Sequence, residues 1–268
     1  MPRAVTVTYA VWPTPAQVAA AAADLFASSA TSAVNSRGLA RIAISGGTTP
    51  KAMFALLADR GQPYFARVPW DKLQLFWVDE RTVPPEHKDS NYGMTKAAML
   101  DHVPLPAANI HRIEGELDPE VAASRYEAEI RTNFRLEGAE TPTFDLVLLG
   151  MGDDGHTASL FPHTEAIHEL GRIAVANRVE KMDTWRVTLT WPVINQAREV
   201  AFLIEGAGKR DILRDVLLGS YDPETKPSQL IRPASGRLSF LLDAAAAAAL
   251  PTPSGEAPPY SASLELKR

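Results

Sequence analysis

Leu39-Ala-Arg-Ile-Ala-Ile44 runs straight into Ser45-Gly46-Gly47-Thr48-Thr49-Pro50, and a helical pattern follows from Lys51 to Ala58. A short apolar run, a turn holding two glycines and a helix with proline near its start read as strand, tight turn and helix. The unit repeats. Leu73-Gln-Leu-Phe-Trp-Val78 is a second strand running into Asp79-Glu80-Arg81, then a Pro-containing loop, then a helix capped by Ser90 or Asn91. Upstream, Thr14-Pro15-Ala-Gln-Val18 opens an Ala-rich helix that reaches about Asn35. Downstream, a helix from Asp118-Pro119 to Arg135 is closed by Gly138 and Pro142 before the strand Phe144-Asp-Leu-Val-Leu-Leu149. Further strands are expected at Ile173–Ala176, Arg186–Thr190 and Glu199–Glu205, and a helix from Gly208 through Val216. Apolar strands alternating with helices predict an α/β fold: a Rossmann-like, doubly wound, mainly parallel sheet with helices on both faces. Residues 1–249 read as a single domain with a small excursion between Trp77 and Asn109. Pro251, Pro253, Pro258 and Pro259 mark residues 250–268 as a poorly ordered tail.

The chain has 268 residues, with 27 Lys and Arg against 32 Asp and Glu for a formal net charge of -5. A mildly acidic chain lacks the broad positive field that nucleic acid demands, so an anionic partner must be small and held in a pocket. Cysteine is absent, which removes disulfides, thiolate nucleophiles and Cys-based metal sites. The N-terminal stretch has no apolar signal core, and no run is long enough to span a membrane; the alanines from Ala244 to Ala249 are too few. The expected address is cytoplasmic.

In open parallel sheets, ligands bind beyond the carboxyl ends of the strands. Three turns qualify. Ser45-Gly46-Gly47-Thr48 can offer backbone N–H groups, a hydroxyl and a helix dipole to a phosphate, although any tight strand-to-helix turn can use two glycines. Asp79-Glu80-Arg81 is either a solvated loop or a working one, in which Arg81 binds phosphate or carboxylate and a carboxylate orients a hydroxyl or acts as a base. The third turn, Gly150-Met-Gly152-Asp153-Asp154-Gly155-His156-Thr157-Ala158-Ser159-Leu160-Phe161-Pro162, contains a Gly-x-Gly-x-x-Gly fingerprint. A dinucleotide site is not expected from it: His156 follows the third glycine at once, Pro162 interrupts any helix, and no acidic residue ends the next strand near Ala176. What the turn does place at the crevice is one imidazole, suited to take and return a proton near neutral pH. His87, His102, His111, His163 and His168 fall in loops or on helix faces and read as surface or packed residues. No zinc-type histidine spacing and no Gly-x-Ser-x-Gly elbow is present, so no metal or serine nucleophile is called for.

Four blocks, in order, resemble the 6-phosphogluconolactonases: Ser45-Gly46-Gly47-Thr48-Thr49-Pro50; Asp79-Glu80-Arg81-Thr82-Val83-Pro84 with Ser90-Asn91; Gly150 to Pro162; and Arg186-Val-Thr-Leu-Thr-x-Pro192-x-Ile-Asn195. The resemblance spans roughly residues 10 to 245 and implies hydrolysis of 6-phosphoglucono-1,5-lactone to 6-phosphogluconate on a fold similar to that of glucosamine-6-phosphate deaminase, without a cofactor. It implies His156 as the general base that deprotonates water, with Asp154 orienting or charge-balancing it; Asp153 is next in line for that role. For the phosphate it implies Gly46, Gly47 and Thr48 as donors and Arg81, Arg186 and Lys209 as cationic clamps, with Asn91 and Asp79 at sugar hydroxyls. Met182, Trp185 and Trp191 read as core or rim packing. Two rivals stand beside this: an amino-sugar-phosphate deaminase or isomerase with Asp79 as its base, and a non-catalytic sugar-phosphate-binding protein. The expected partner is a small sugar phosphate, with no nucleic acid and no membrane, on a monomer or weak dimer.

Overall fold

A computed structural model describes residues 5–233, 235–253 and 256–266. Residues 1–4, which open the stretch read as lacking a signal core, and 254–255 and 267–268 of the tail lie outside the described residues. Eight strands form one sheet in the order β11-β1-β10-β9-β6-β2-β3-β5. They are β1 (Val5–Trp12), β2 (Ala40–Ile44), β3 (Leu73–Trp77), β5 (Ile110–His111), β6 (Leu146–Leu149), β9 (Glu199–Ile204), β10 (Arg237–Asp243) and β11 (Tyr260–Leu266). All neighbours run parallel except β1 and β11. The mostly parallel α/β sheet expected from the sequence is therefore present.

The helices start and stop where local chemistry dictates. Helix α1 (Pro15–Arg37) has the Thr14 side chain accepting from the Gln17 N–H at its start and Gly38 at φ 78° at its end. Helix α2 (Thr48–Ala58) begins at Gly47, whose φ of 121° suits a glycine, and no side chain caps it. In the helix Pro119–Phe134, Asp118 accepts from the N–H groups of Glu120 and Val121. The core lies between sheet and helices: Ile42, Ile44, Leu75 and Phe76 are fully buried, and Phe202 stacks on Phe240 at 4.7 Å. Each such side chain stabilises by about 1.5–3 kcal/mol over exposure.

Strand order creates the site. From β2 the chain proceeds through β3 to β5 at one edge, then returns to the other side of β2 with β6 and continues to β9 and β10. The turns after β2 and β6 thus diverge at a switch point, where an open parallel sheet leaves a crevice.

Two sequence expectations need correction. The strands β7 (Ala174–Val179) and β8 (Thr184–Leu189) do not join the parallel sheet; they pair antiparallel with each other, and β8 pairs with β4 (Asp79–Arg81) in a separate three-stranded sheet. The physical reason is the connection. Between β7 and β8 only Glu180 to Asp183 turn the chain, with Asp183 at φ 47°, which is too short for the crossover that parallel neighbours require. The tail read as poorly ordered over 250–268 contains β11, paired residue by residue from Val11↔Tyr260 to Val5↔Leu266. Prolines 251–259 precede that strand, while Tyr260-Ser-Ala-Ser-Leu-Glu-Leu266 itself alternates and buries Tyr260 and Leu266 at its two ends. Its partner β1, with Val7, Tyr9 and Val11 buried, carries the same period-two pattern and was not anticipated. Among the described residues, no helix is long and apolar enough to cross a membrane.

Candidate active site

A cleft of about 560 Å³ opens at the switch point, and Gly46, Gly47, Thr48, Asp79, Arg81, Asn91, His156 and Lys209 all line it. Its first wall is the turn after β2. The N–H groups of a helix's first turn have no intrahelical acceptor, so the uncapped start of α2 presents bare donors and the positive end of its dipole to the cleft. Gly46 is a glycine for a different reason from Gly47: a Cβ there would lie 1.8 Å from Asn91 Oδ1. Asn91, 3% exposed, is itself fixed by donating Nδ2–H to the Asp79 carbonyl at 3.0 Å.

The second wall comes from β4, which is short and charged because its work is done by side chains. Glu80 is buried and accepts from the N–H groups of Arg81, Asn91 and Tyr92 and from the Ser90 hydroxyl, tying β4 to the start of the helix Asn91–Thr95. Burial pushes its carboxyl upward, against the pull of those backbone donors. Asp79 is 7% exposed and accepts the Ser159 hydroxyl at 2.7 Å, which anchors the histidine turn to β4. Arg81 faces Arg186 across the β4–β8 ladder. Arg81 donates to the Asp89 carbonyl at 2.6 Å, and Arg186 to Thr184 Oγ1 and the Trp185 carbonyl. Burial and then the neighbouring Arg81 charge pull the Arg186 guanidinium below its usual value. Two adjacent guanidiniums, neither in an ion pair among the described residues, favour an anion between them. Arg186 is held beside the cleft through Arg81 and is not part of the wall.

The third wall is the turn after β6. Gly152 and Gly155 let it fold back: Gly155 sits at φ 78°, and its N–H donates to the Gly152 carbonyl at 3.1 Å. The Gly152 N–H donates to the His156 carbonyl at 2.9 Å, and a Cβ on Gly152 would lie 2.0 Å from the His156 ring. Thr157 donates its hydroxyl to the Gly150 carbonyl at 2.8 Å. The result is an imidazole clamped but not entombed, with 28% of its side chain exposed. Its flat face stacks on Phe161 at 4.1 Å between ring centres. His156 Nδ1 lies 2.6 Å from Asp154 Oδ1, and Asp154, held down to about 2 chiefly by that hydrogen bond, is ionised throughout the neutral range. Nε2 has no partner among the described residues. The choice between the two neighbouring aspartates is settled by geometry: Asp154 supports His156, whereas Asp153 Oδ1 accepts from Lys209 Nζ.

Sequence reasoning missed Thr49 and Glu205 in the cleft. The Thr49 hydroxyl donates to Glu205 Oε2 at 2.8 Å, joining the first turn of α2 to the end of β9. The signal was available, since Glu205 lies just beyond the carboxyl end of a parallel strand, as Asp79 and Gly150 do. Met182 and Trp185 sit exposed at the rim, and Trp191 packs inside, its Nε1–H donating to the Ile167 carbonyl at 3.0 Å. Among the described residues no group of three or more His, Asp or Glu is arranged to hold a metal ion.

Comparison with known proteins bears directly on this arrangement. The 6-phosphogluconolactonase of Nostoc sp. is 43% identical over 244 residues, 91% of this chain and 98% of that protein. The 6-phosphogluconolactonase of Haemophilus influenzae is 37% identical, over 76% of this chain and 85% of its own length. Among solved structures, the 6-phosphogluconolactonase from Trypanosoma brucei superposes with a TM-score of 0.77 at 28% identity, covering 92% of this chain and all of that one. A sequence model of the family described as glucosamine-6-phosphate isomerases/6-phosphogluconolactonase matches residues 13–240, and the chain belongs to that family.

Proposed function

We propose that this protein hydrolyses 6-phosphoglucono-1,5-lactone to 6-phosphogluconate, the hydrolytic step of the oxidative pentose phosphate pathway, with His156 as general base. The observation that carries the reading is an imidazole whose Nδ1 is held by an ionised Asp154 while Nε2 has no partner among the described residues, at a cleft that also contains the glycine turn. In this reading Nε2 takes a proton from water as the oxygen attacks the lactone carbonyl. The same imidazolium then gives its proton to the ring oxygen as the C–O bond breaks, so the base is restored at the end of each turnover. A δ-lactone is already activated, and no covalent enzyme intermediate is needed.

The phosphate serves as a handle. Thr48, the bare N–H groups of α2 and Lys209 would hold it together with Arg81, while Arg186 adds charge from behind Arg81. Fixing the far end of the sugar converts binding energy into orientation of the carbonyl against the water on His156. Asn91 would meet a sugar hydroxyl. Asp79 is less suited to abstract a proton from carbon, because it is buried and engaged by Ser159; that favours the lactonase over the deaminase assignment. We place the reaction in the cytoplasm, and on a monomer or weak dimer, the latter supported by the few large apolar side chains exposed on the described surface.

Initial rates tell the two enzyme readings apart. The protein should open 6-phosphogluconolactone well above its spontaneous hydrolysis and leave glucosamine 6-phosphate unchanged. Lactone opening no faster than buffer, or release of ammonia from the amino sugar, would overturn the proposal.

A further inference from the structure

Glu205 is an acceptor placed among donors. It follows the last residue of β9 and precedes Gly206, which sits at φ 91°, and it lies four residues before Lys209 in the same cleft wall. Its Oε2 accepts from Thr49, whose own N–H belongs to the uncapped first turn of α2. Its Oε1 is buried without a hydrogen-bond partner among the described residues. Glu205 lines the cleft together with the start of α2, so a phosphate drawn to α2 meets a like charge there.

We propose that Glu205 selects the protonation state of the bound phosphate ester, its carboxyl and one phosphoryl oxygen sharing a single proton. The inference rests on the reading of the glycine turn as a phosphate cradle. The proton enters on the phosphate monoanion or on the carboxyl, and moves between two oxygens without any other bond changing. A phosphate monoester has its second pKa near about 6, and burial, reinforced by the negative Asp243, pushes the Glu205 carboxyl above its ordinary range. The groups that face it agree with this. Asp243, at the end of β10, already accepts from the Gly206 and Ala246 N–H groups. Lys209 is paired with Asp153, so it does not fully neutralise Glu205. Asp79, Arg81 and His156 line other parts of the cleft.

Calorimetric titration of the whole protein with glucose 6-phosphate, a stable monoester without the lactone, tests this between pH 7 and 8.5. Sharing one proton predicts a dissociation constant that rises by about tenfold per pH unit in the wild type. Glu205→Gln should flatten that rise, because an amide needs no proton to face a phosphate dianion. Thr49→Val should keep the rise, since it removes the hydroxyl bond but leaves the carboxyl. An equally steep rise in Glu205→Gln overturns the proposal, as does a Thr49→Val variant as flat as Glu205→Gln, which would assign the effect to the α2 latch. Absence of binding by the wild type at every pH is a different failure: it removes the phosphate cradle itself.

Discussion

The protein contains the same small device twice. His156 and His111 each place Nδ1 2.6 Å from a carboxylate oxygen, of Asp154 and of Glu129. Each ring also stacks on a phenylalanine, Phe161 at 4.1 Å and Phe76 at 4.4 Å. The difference lies at the second nitrogen. His111 Nε2 is 2.6 Å from Gln74 Oε1 and 3.2 Å from Asn133 Nδ2, and Arg41 fastens Asn133 in turn. That ring is 6% exposed at the sheet edge, on β5. His156 Nε2 meets no protein group among the described residues, and its ring borders the cleft. A histidine–carboxylate pair is therefore not by itself a catalytic signature; under the proposed function, what sets His156 apart is an open nitrogen in the cleft that also holds the glycine turn.

That contrast can be broken in several ways. Gly152→Ala should have the largest effect, because the added methyl would overlap the His156 ring; a loss of about a hundredfold in kcat/KM is expected, from displacement of a general base alone. A normal rate in that variant would mean the ring position does not matter. Asp154→Asn keeps the shape but surrenders the charge that orients and stabilises an imidazolium, and kcat should fall by about tenfold with little change in KM. Arg81→Ala should instead raise KM by about tenfold, the equivalent of about 1.4 kcal/mol of phosphate binding, with a smaller penalty on unphosphorylated gluconolactone. Equal penalties on both lactones would remove Arg81 from the phosphate site.

The smallest effect on catalysis should come from His111→Leu, which ought to leave kcat within the assay error while lowering stability by about 1–3 kcal/mol through the orphaned Gln74 and Asn133. Its pH signature has a definite sign. Burial, only partly opposed by Glu129, holds His111 below its ordinary value of 6.5, so the unfolded chain binds the extra proton more readily. The stability that His111 contributes is thus present above that value and is lost as pH falls through it. Thermal unfolding from pH 7.5 to 5 should show a drop in the wild type that is shallower in His111→Leu. Identical slopes would mean this ring does not titrate on unfolding.

The sequence revealed the glycine turns and the placement of His156 because each is a local signal: an apolar run that ends in residues able to take an unusual backbone or expose donors. It could not reveal what depends on distant pairing. The resemblance singles out Arg186 as a clamp, but only the pairing of β8 with β4 shows that it lies beside Arg81. The sequence favours Asp154 over Asp153 only by its place in the motif; Lys209, 56 residues away, takes Asp153 in the folded chain. Tyr260–Leu266 looked like the end of a proline-rich tail because averaging its composition with the preceding prolines hid the alternation that lets it close the sheet against β1. The sequence places His111 in a loop or on a helix face, whereas it sits buried on the edge strand β5, satisfied by a network spanning Gln74, Glu129 and Asn133 that only the fold assembles.

The central claim is that Nε2 of His156 performs the proton transfer. Initial rates of 6-phosphogluconolactone opening, corrected for spontaneous hydrolysis, should be compared for the wild type and His156→Ala with folding checked by thermal melt. The account predicts an intact fold and a fall in kcat/KM of about a hundredfold or more, the usual share of a general base. A His156→Ala protein that melts normally and turns over the lactone at the wild-type rate would contradict it.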